Sequence, residues 1–209
     1  MGKIFVVGDI HGCLRKLTKL MSLIDIDDEQ DTVVFLGDYI DRGPDSHGVV
    51  EFILDFKKDK TKVVCLMGNH EDLFLRYMQD SGSRDVFLSN GGFSTLISYN
   101  FPHVIEDIPE RHYQFFVSLI SYYETADYIF VHAGLKTGVP LREQEREDLL
   151  WIRGEFIRSP YDFGKTVVFG HTGFSQPFIK ANKIGIDTGA VYGGKLTCME
   201  LPEKKIYQS

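Results

Sequence analysis

Five short apolar runs recur along the chain, and each leads into a glycine-containing turn that carries Asp, Asn or His. Ile4-Phe5-Val6-Val7 runs into Gly8-Asp9-Ile10-His11-Gly12, and Thr32-Val33-Val34-Phe35-Leu36 into Gly37-Asp38-Tyr39-Ile40-Asp41-Arg42-Gly43. Val63-Val64-Cys65-Leu66-Met67 meets Gly68-Asn69-His70-Glu71. Tyr128-Ile129-Phe130-Val131 meets His132-Ala133-Gly134, and Thr166-Val167-Val168-Phe169 meets Gly170-His171-Thr172-Gly173. Such β-branched runs closed by glycine read as buried strands. Strands of an open α/β sheet place their carboxyl ends along a shared crevice where ligands bind, so five polar tips are expected to converge on one site.

Helical periodicity fills the early gaps. Leu14, Leu17, Leu20, Met21 and Ile24 share one face, a second helix is expected from Ser46 as N-cap through Phe56, and a third from Glu71 through Met78. Strand alternating with helix predicts a parallel α/β beginning. The acidic connector Asp25 to Asp31 lacks calcium-loop spacing and reads as solvated. Residues 81–124 break the alternation with Ser81-Gly82-Ser83, Asn90-Gly91-Gly92 and the aromatic run Tyr113, Phe115, Phe116 and Leu119. We expect a helical insertion beside the crevice, its aromatics in the core and its polar turns shaping a substrate entrance. After Ala181 the pattern changes to short strands at Lys183 to Ile186, Leu196 to Glu200 and near Ile206, which predict hairpins in a second, mixed or antiparallel sheet. No linker divides residues 1–209, so one domain is expected.

The formal charge of −7 argues against a general nucleic-acid or anionic-membrane binder and for a compact or diffusing partner. Cys13, Cys65 and Cys198 are scattered with no CxxC spacing, and Cys65 falls inside a strand, as expected of a small buried hydrophobe in a reducing compartment. Met1 leads directly into the first strand, without a secretory segment, and no apolar stretch approaches membrane-spanning length, so the expected location is the cytoplasm.

The side chains at the tips are Asp9, His11, Asp38, Asp41, Arg42, Asn69, His70, His132 and His171. This set of carboxylate, imidazole and amide without thiolate suits Mn, Fe or Zn and excludes a structural cysteine-zinc site. Two metals sharing a carboxylate would leave fewer charges uncompensated than one, and a close metal pair is suited to activating water and clamping a phosphoryl group. Arg42 would offer a bidentate fork to phosphate oxygens. His70 would protonate the leaving oxygen, oriented by Asp41.

In this order, the motifs GDIHG, GDYIDRG, GNHE, HAG and GH resemble the phosphoprotein phosphatase family of calcineurin-like metallophosphoesterases. The resemblance spans Gly8 to about His171, and Ile186-Asp187-Thr188-Gly189 extends it. It implies two mixed β-sheets sandwiched between helices and two divalent metal ions, manganese first, with iron or zinc as alternatives. Asp9, His11 and Asp38 would hold one ion, and Asp38, Asn69, His132 and His171 the other, with Asp38 bridging. Arg42 and Arg153, the latter in Trp151-Ile152-Arg153, would bind phosphate, and His70 and Asp41 would form the acid pair. Without the family pattern Arg153 reads as a surface residue.

Gly170-His171-Thr172 lacks the second histidine found in related nucleases and purple phosphatases, and Ala133 stands where eukaryotic Ser/Thr phosphatases usually have glycine. Those enzymes also carry a longer tail, so the chain is similar to the short bacterial and phage type. The expected activity is a Ser/Thr phosphoprotein phosphatase, acting on a phosphorylated protein or peptide or on a small phosphoester by direct attack of a metal-bound hydroxide. A symmetrical dinucleoside tetraphosphate hydrolase and a non-catalytic binding protein on the same scaffold are the alternatives. Asp187 and Tyr192 are expected to border the site, Glu71 to favour a helix N-terminus, and His47, His103 and His112 to be surface or packing residues.

Overall fold

The computed structural model describes residues 2–59, 62–79, 81–102 and 107–209. His103 lies outside the described residues. In chain order the elements are β1 (Ile4–Val7), α1 (Leu14–Met21), β2 (Thr32–Phe35), α2 (Ser46–Asp59), β3 (Val63–Cys65) and α3 (Asn69–Gln79). Then come α4 (Arg84–Phe87), α5 (Phe93–Ser98), α6 (Glu110–Val117), β4 (Tyr122–Glu124), β5 (Tyr128–Val131), α7 (Arg146–Trp151) and α8 (Gly154–Arg158). The chain finishes with β6 (Thr166–Phe169), β7 (Phe178–Ile179), β8 (Lys183–Gly185), β9 (Thr197–Leu201) and β10 (Lys205–Gln208).

Two mixed five-stranded sheets result, ordered β10-β9-β1-β2-β3 and β4-β5-β6-β8-β7. Strands β1, β2 and β3 run parallel, as the helical spacers between them require. The polar tips therefore come from two sheets rather than from one open sheet. The last hairpin also differs from expectation: β9 pairs antiparallel with β1, so β9 and β10 complete the first sheet. Only β8 of the late strands joins the second sheet's parallel core, beside β6.

Successive strand residues explain the layering. Val6, Val34, Phe130, Val168, Ile184 and Met199 pack between the sheets. Their neighbours Phe5, Val7, Val33 and Phe35 face Leu17, Leu20, Val49, Ile53 and Phe74 of the helices. Ile129, Val131, Val167 and Phe169 likewise meet Leu149 and Phe156. Both faces of each central strand are covered, so the sequence reads as continuous apolar runs.

Several boundaries move. The first helix stops at Met21 rather than Ile24, and the third begins at Asn69, two residues before Glu71. The N-cap of α2 is Asp45, whose Oδ1 accepts the Gly48 N–H at 2.8 Å, because the Ser46 hydroxyl is engaged at the site. Among the described residues of 81–124 the helices are α4, α5 and α6, and Phe115, Phe116 and Leu119 are core, but Tyr122–Glu124 is the edge strand β4. In the acidic connector, Asp31 is buried, accepting the N–H groups of Lys3 and Asp27 at 2.7 and 3.0 Å. His112 is buried against Tyr99 and Glu51, with His47 packed on its ring. Cys65 and Cys198 are buried free thiols and Cys13 is half-buried. Among the described residues, no helix is long and apolar enough to cross a membrane.

Phe130 is fully buried where the sheets meet. Phe130→Ala is expected to cost about 3–5 kcal/mol through lost transfer energy and the cavity left behind. Chemical denaturation of the variant and parent measures it.

Candidate active site

The turns after β1, β2, β3, β5 and β6 meet at one edge of the paired sheets. Backbone bonds fix them: Ile10 N and His11 N donate to Asp38 O at 3.0 and 2.8 Å, and Gly170 N donates to His132 O at 2.8 Å. His171 N donates to Asp9 Oδ2 at 2.9 Å, tying a turn of the second sheet to one of the first. His11, Asp38, Asp41, Arg42 and His171 all have left-handed φ, between 47° and 70°. Non-glycine residues hold that conformation at a cost, which surrounding structure must offset, and such positions gather at functional sites.

Proton positions follow from the acceptors. His132 Nδ1 lies 2.8 Å from Leu36 O, a group that only accepts, so Nδ1 carries the proton and Nε2 presents a lone pair. That lone pair faces Asn69 Oδ1 at 2.9 Å and Asp38 Oδ1 at 3.4 Å. His11 repeats the device: Nδ1 donates to Ile40 O at 2.9 Å, leaving Nε2 3.4 Å from Asp38 Oδ2. Arg42 Nη1 donates to the same His11 Nε2 at 2.6 Å. Asp9 Oδ1 and His171 Nε2 are buried without any hydrogen-bond partner. Acceptors thus converge with too few donors, and buried acceptors without donors are costly. A cation is the group that would satisfy them.

Among the described residues two clusters of ligand-type atoms stand out, His11 with Asp38 and His70, and Asp38 with His132 and His171; within each the atoms lie within 4.8 Å of one another. Asp38 belongs to both. Asp9 and Asn69 reach the same cleft through His171 and His132. All the expected metal-site residues are therefore brought together, and they fit divalent cations with oxygen and nitrogen preference.

Electrostatics agree. Burial pushes the His11 imidazole down to about 3, against the pull of Asp38, and burial with His132 pushes His171 down to about 2. Burial also lowers His132. Burial alone would raise Asp38, but His132, His70, His11 and His171 outweigh it and hold the carboxyl below its usual range. Asp9 is pushed well up by burial and by the Asp187 and Asp38 carboxylates. Neutral imidazoles beside crowded carboxylates are the donor set that binding a divalent ion requires.

His70 Nδ1 pairs with Asp41 Oδ2 at 2.6 Å, both buried. Burial raises the Asp41 carboxyl, while the bonds from His70 and Thr95 oppose that. Nε2 of His70 points the other way, 3.9 Å from Asp38 Oδ2. The aspartate thus fixes the ring and its tautomer. Arg153 is exposed, at the start of α8, and its Nη1 donates to His171 O at 3.1 Å. Asp187 faces Asp9 and Asp38 electrostatically and is raised by burial, and Tyr192 lies against Arg42, so both border the cleft as expected.

Two contributors were not read from the sequence. Glu71 lies in the first turn of α3, as expected, but it is fully buried and also accepts four backbone N–H groups. Oε2 takes those of Asp38 and Gly68 at 2.9 and 3.0 Å, and Oε1 those of Tyr39 and Ile40 at 2.8 and 3.2 Å. Burial and Asp38 raise its pKa to about 8 against the pull of the Tyr39 and Ile40 N–H groups, yet with two donors at each oxygen a proton would find no acceptor, and the geometry favours the carboxylate. Thr95, from the insertion, donates to Asp41 Oδ1 at 2.6 Å and accepts from Asp41 N at 2.9 Å. A lone threonine in a helix gives no sequence signal. For Glu71, its place directly after Asn69-His70 was the available clue.

A cleft of this composition at the strand ends of two facing sheets defines a metallophosphoesterase, and the calcineurin-like phosphoesterase family model matches residues 2–203. The chain belongs to that family. It is 27% identical over 234 residues to the asymmetrical bis(5'-nucleosyl)-tetraphosphatase PrpE of Oceanobacillus iheyensis, covering 97% of this chain and 90% of that one. A solved structure described as a candidate diadenosine tetraphosphatase superposes with a TM-score of 0.77 at 24% identity, covering 100% and 93% of the two chains. A serine/threonine phosphatase from Saccharomyces cerevisiae gives 0.67 at 16%, covering 96% and 72%. These two structures carry the fold.

Two outcomes check the site. Glu71→Gln turns an amide NH2 toward backbone donors and is expected to cost at least about 2 kcal/mol, since orphaned buried donors cost about 1–3 kcal/mol each; denaturation and metal content should both fall. In EDTA-treated protein the His11 and His171 imidazoles, lowered to about 3 and 2, stay neutral as pH falls from 8 to 5. Their NMR resonances should not titrate in that range, whereas an ordinary histidine titrates near 6.5.

Proposed function

We propose that this protein is a metal-dependent hydrolase of dinucleoside tetraphosphates that splits them asymmetrically, into a nucleoside monophosphate and a nucleoside triphosphate. The observation that carries the substrate is the end-to-end match to asymmetrical tetraphosphatases of similar length. The cleft carries the chemistry. The phosphoprotein substrate expected from the motifs draws support only from likeness in fold to protein phosphatases. Asymmetric cleavage follows the relatives' names in place of the symmetrical alternative.

In this reading Asp9, His11 and Asp38 hold one divalent ion, and Asp38, Asn69, His132 and His171 the second, with manganese the first choice. When bound, the pair supplies Lewis acidity toward phosphoryl oxygens and a lowered pKa for water. Arg42 and Arg153 bind and orient the phosphate chain. His70, protonated, donates from Nε2 to the departing oxygen, and Asp41 stabilises the imidazolium from Nδ1. No Ser or Cys nucleophile lies at any of the tips, so water is the attacking group.

Treating Mn²⁺-loaded protein with EDTA should abolish hydrolysis of diadenosine tetraphosphate, and adding Mn²⁺ should restore it. Chromatography of the products should show AMP and ATP; two molecules of ADP would establish the symmetrical reaction, and no turnover beside active phosphopeptide hydrolysis would return the phosphoprotein reading. His70→Asn is expected to slow hydrolysis of an alkyl phosphate by about 10²- to 10⁴-fold, the usual range for a general acid. The loss on the tetraphosphate should be smaller, because a polyphosphate leaves with less need of a proton.

A further inference from the structure

Among the described residues, Tyr192 is the most exposed large apolar side chain, at 74%. Single exposed apolar residues are ordinary. What sets this one apart is its mounting. It ends a tight turn, Ala190–Tyr192, flanked by Gly189 and Gly193 with φ of 68° and 88°, a conformation that favours glycine. Lys16 Nζ reaches across from α1 to donate to Ala190 O and Gly194 O at 2.7 and 2.5 Å. Gly189 N donates to Asp187 Oδ1 at 2.9 Å, and Thr188 Oγ1 to Lys195 O at 2.5 Å. A loop held this firmly keeps an aromatic ring in water.

The ring also has a specific neighbour. The Arg42 guanidinium carbon lies over it, 5.6 Å from the centroid, within cation–π range. Arg42 is itself held, its N–H donating to Gly91 O at 3.1 Å. A ring that only shielded the arginine would bury more of itself, whereas Tyr192 leaves most of its surface open. Gly193 and Gly194 of the same loop line a cavity of about 600 Å³ that also presents Ser175, Gln176 and Lys195. That volume is within the range of small-ligand sites, and the residues that directly follow Tyr192 give it room and hydrogen-bonding capacity on the same loop.

We infer that Tyr192 is the stacking platform for a nucleobase of the substrate. Arg42 takes a phosphate, the open face of the tyrosine takes the base of the same nucleotide, and the adjoining cavity accommodates the sugar and the base edges. Stacking between a base and an aromatic side chain is sequence-tolerant, so the platform selects nucleotides over base-free phosphates and discriminates little among bases. This inference rests on the dinucleoside tetraphosphate reading and names the part of the substrate that reading leaves without a contact.

The test compares wild type with Tyr192→Ala, Tyr192→Phe and Tyr192→Trp, all Mn²⁺-loaded, on diadenosine tetraphosphate and on inorganic tripolyphosphate. The ratio of kcat/KM for the first to that for the second is expected to fall at least about fivefold in Tyr192→Ala, through KM, and to recover in Tyr192→Phe and Tyr192→Trp. An unchanged ratio in Tyr192→Ala overturns the platform. If wild type leaves diadenosine tetraphosphate intact, the substrate reading fails, and the platform is judged by binding alone. The emission of Tyr192→Trp, corrected for Trp151 from wild type, should then be quenched by ATP and not by tripolyphosphate. Equal response to both, or response to neither, overturns it.

Discussion

Everything at the cleft depends on the Glu71 carboxylate. The turn after β2 must bring Asp38 to the meeting point of both ligand clusters with left-handed φ, which an aspartate adopts at a cost. Three of the N–H groups of that turn, those of Asp38, Tyr39 and Ile40, point into the protein away from water. Glu71 satisfies all three and adds the N–H of Gly68 from the next turn. Bonds from backbone donors to a buried carboxylate are charge-assisted and stronger than neutral ones. One side chain thereby converts two strand ends into a single rigid surface. Asp38 can then turn both carboxylate oxygens toward the cleft, with Oδ1 near His132 and Oδ2 near His11.

The close approach of these turns also limits composition. A Cβ at Gly68 would collide with Asp38, and one at Gly170 with the Asp9 carboxylate. The two sheets add a further condition, because Asp9, Asp38 and Asn69 follow strands of one sheet while His132 and His171 follow strands of the other. The relative position of these side chains is set by the core between the sheets, where Val34, Phe130 and Val168 pack together. Packing at interior density transmits small displacements, so a cavity in that core shifts one half of the cleft's carboxylates and imidazoles against the other.

The sequence was informative where the physics is local. Apolar runs leading into glycine-containing turns placed the strands, and residue type at the tips gathered Asp9, His11, Asp38, Asp41, Arg42, Asn69, His70, His132 and His171, from which the family resemblance singled out Asp9, His11, Asp38, Asn69, His132 and His171, six that meet in the cleft. Pairing partners were less legible. The β9 sequence Thr197-Cys198-Met199-Glu200-Leu201 reads the same whether the hairpin joins the first sheet or the second, and it is the antiparallel pairing with β1 that assigns it to the first. Thr95 was illegible because its role needs a contact with Asp41 across 54 residues. Ser46 and Asp45 illustrate a local ambiguity: either could cap α2, and the demand of Asp41 N for a hydroxyl assigns Ser46 elsewhere.

Arg42 shows why the substrate is harder to read than the reaction. Its backbone belongs to a motif, but its position is set by segments outside any motif. Gly91 of the insertion accepts its N–H and leaves no room for a side chain against Arg42 Cγ, which a Cβ would approach to 2.7 Å. Tyr192 faces the guanidinium from a loop near the other end of the chain. The insertion that contacts Arg42 also supplies the Thr95 hydroxyl on Asp41, so the segment that places Arg42 also fixes the carboxylate paired with His70. A change in this insertion therefore perturbs His70 unless the Thr95 contact is kept. The positions of Arg42 and of the His70–Asp41 pair are thus coupled through Gly91 and Thr95, four residues apart in the insertion.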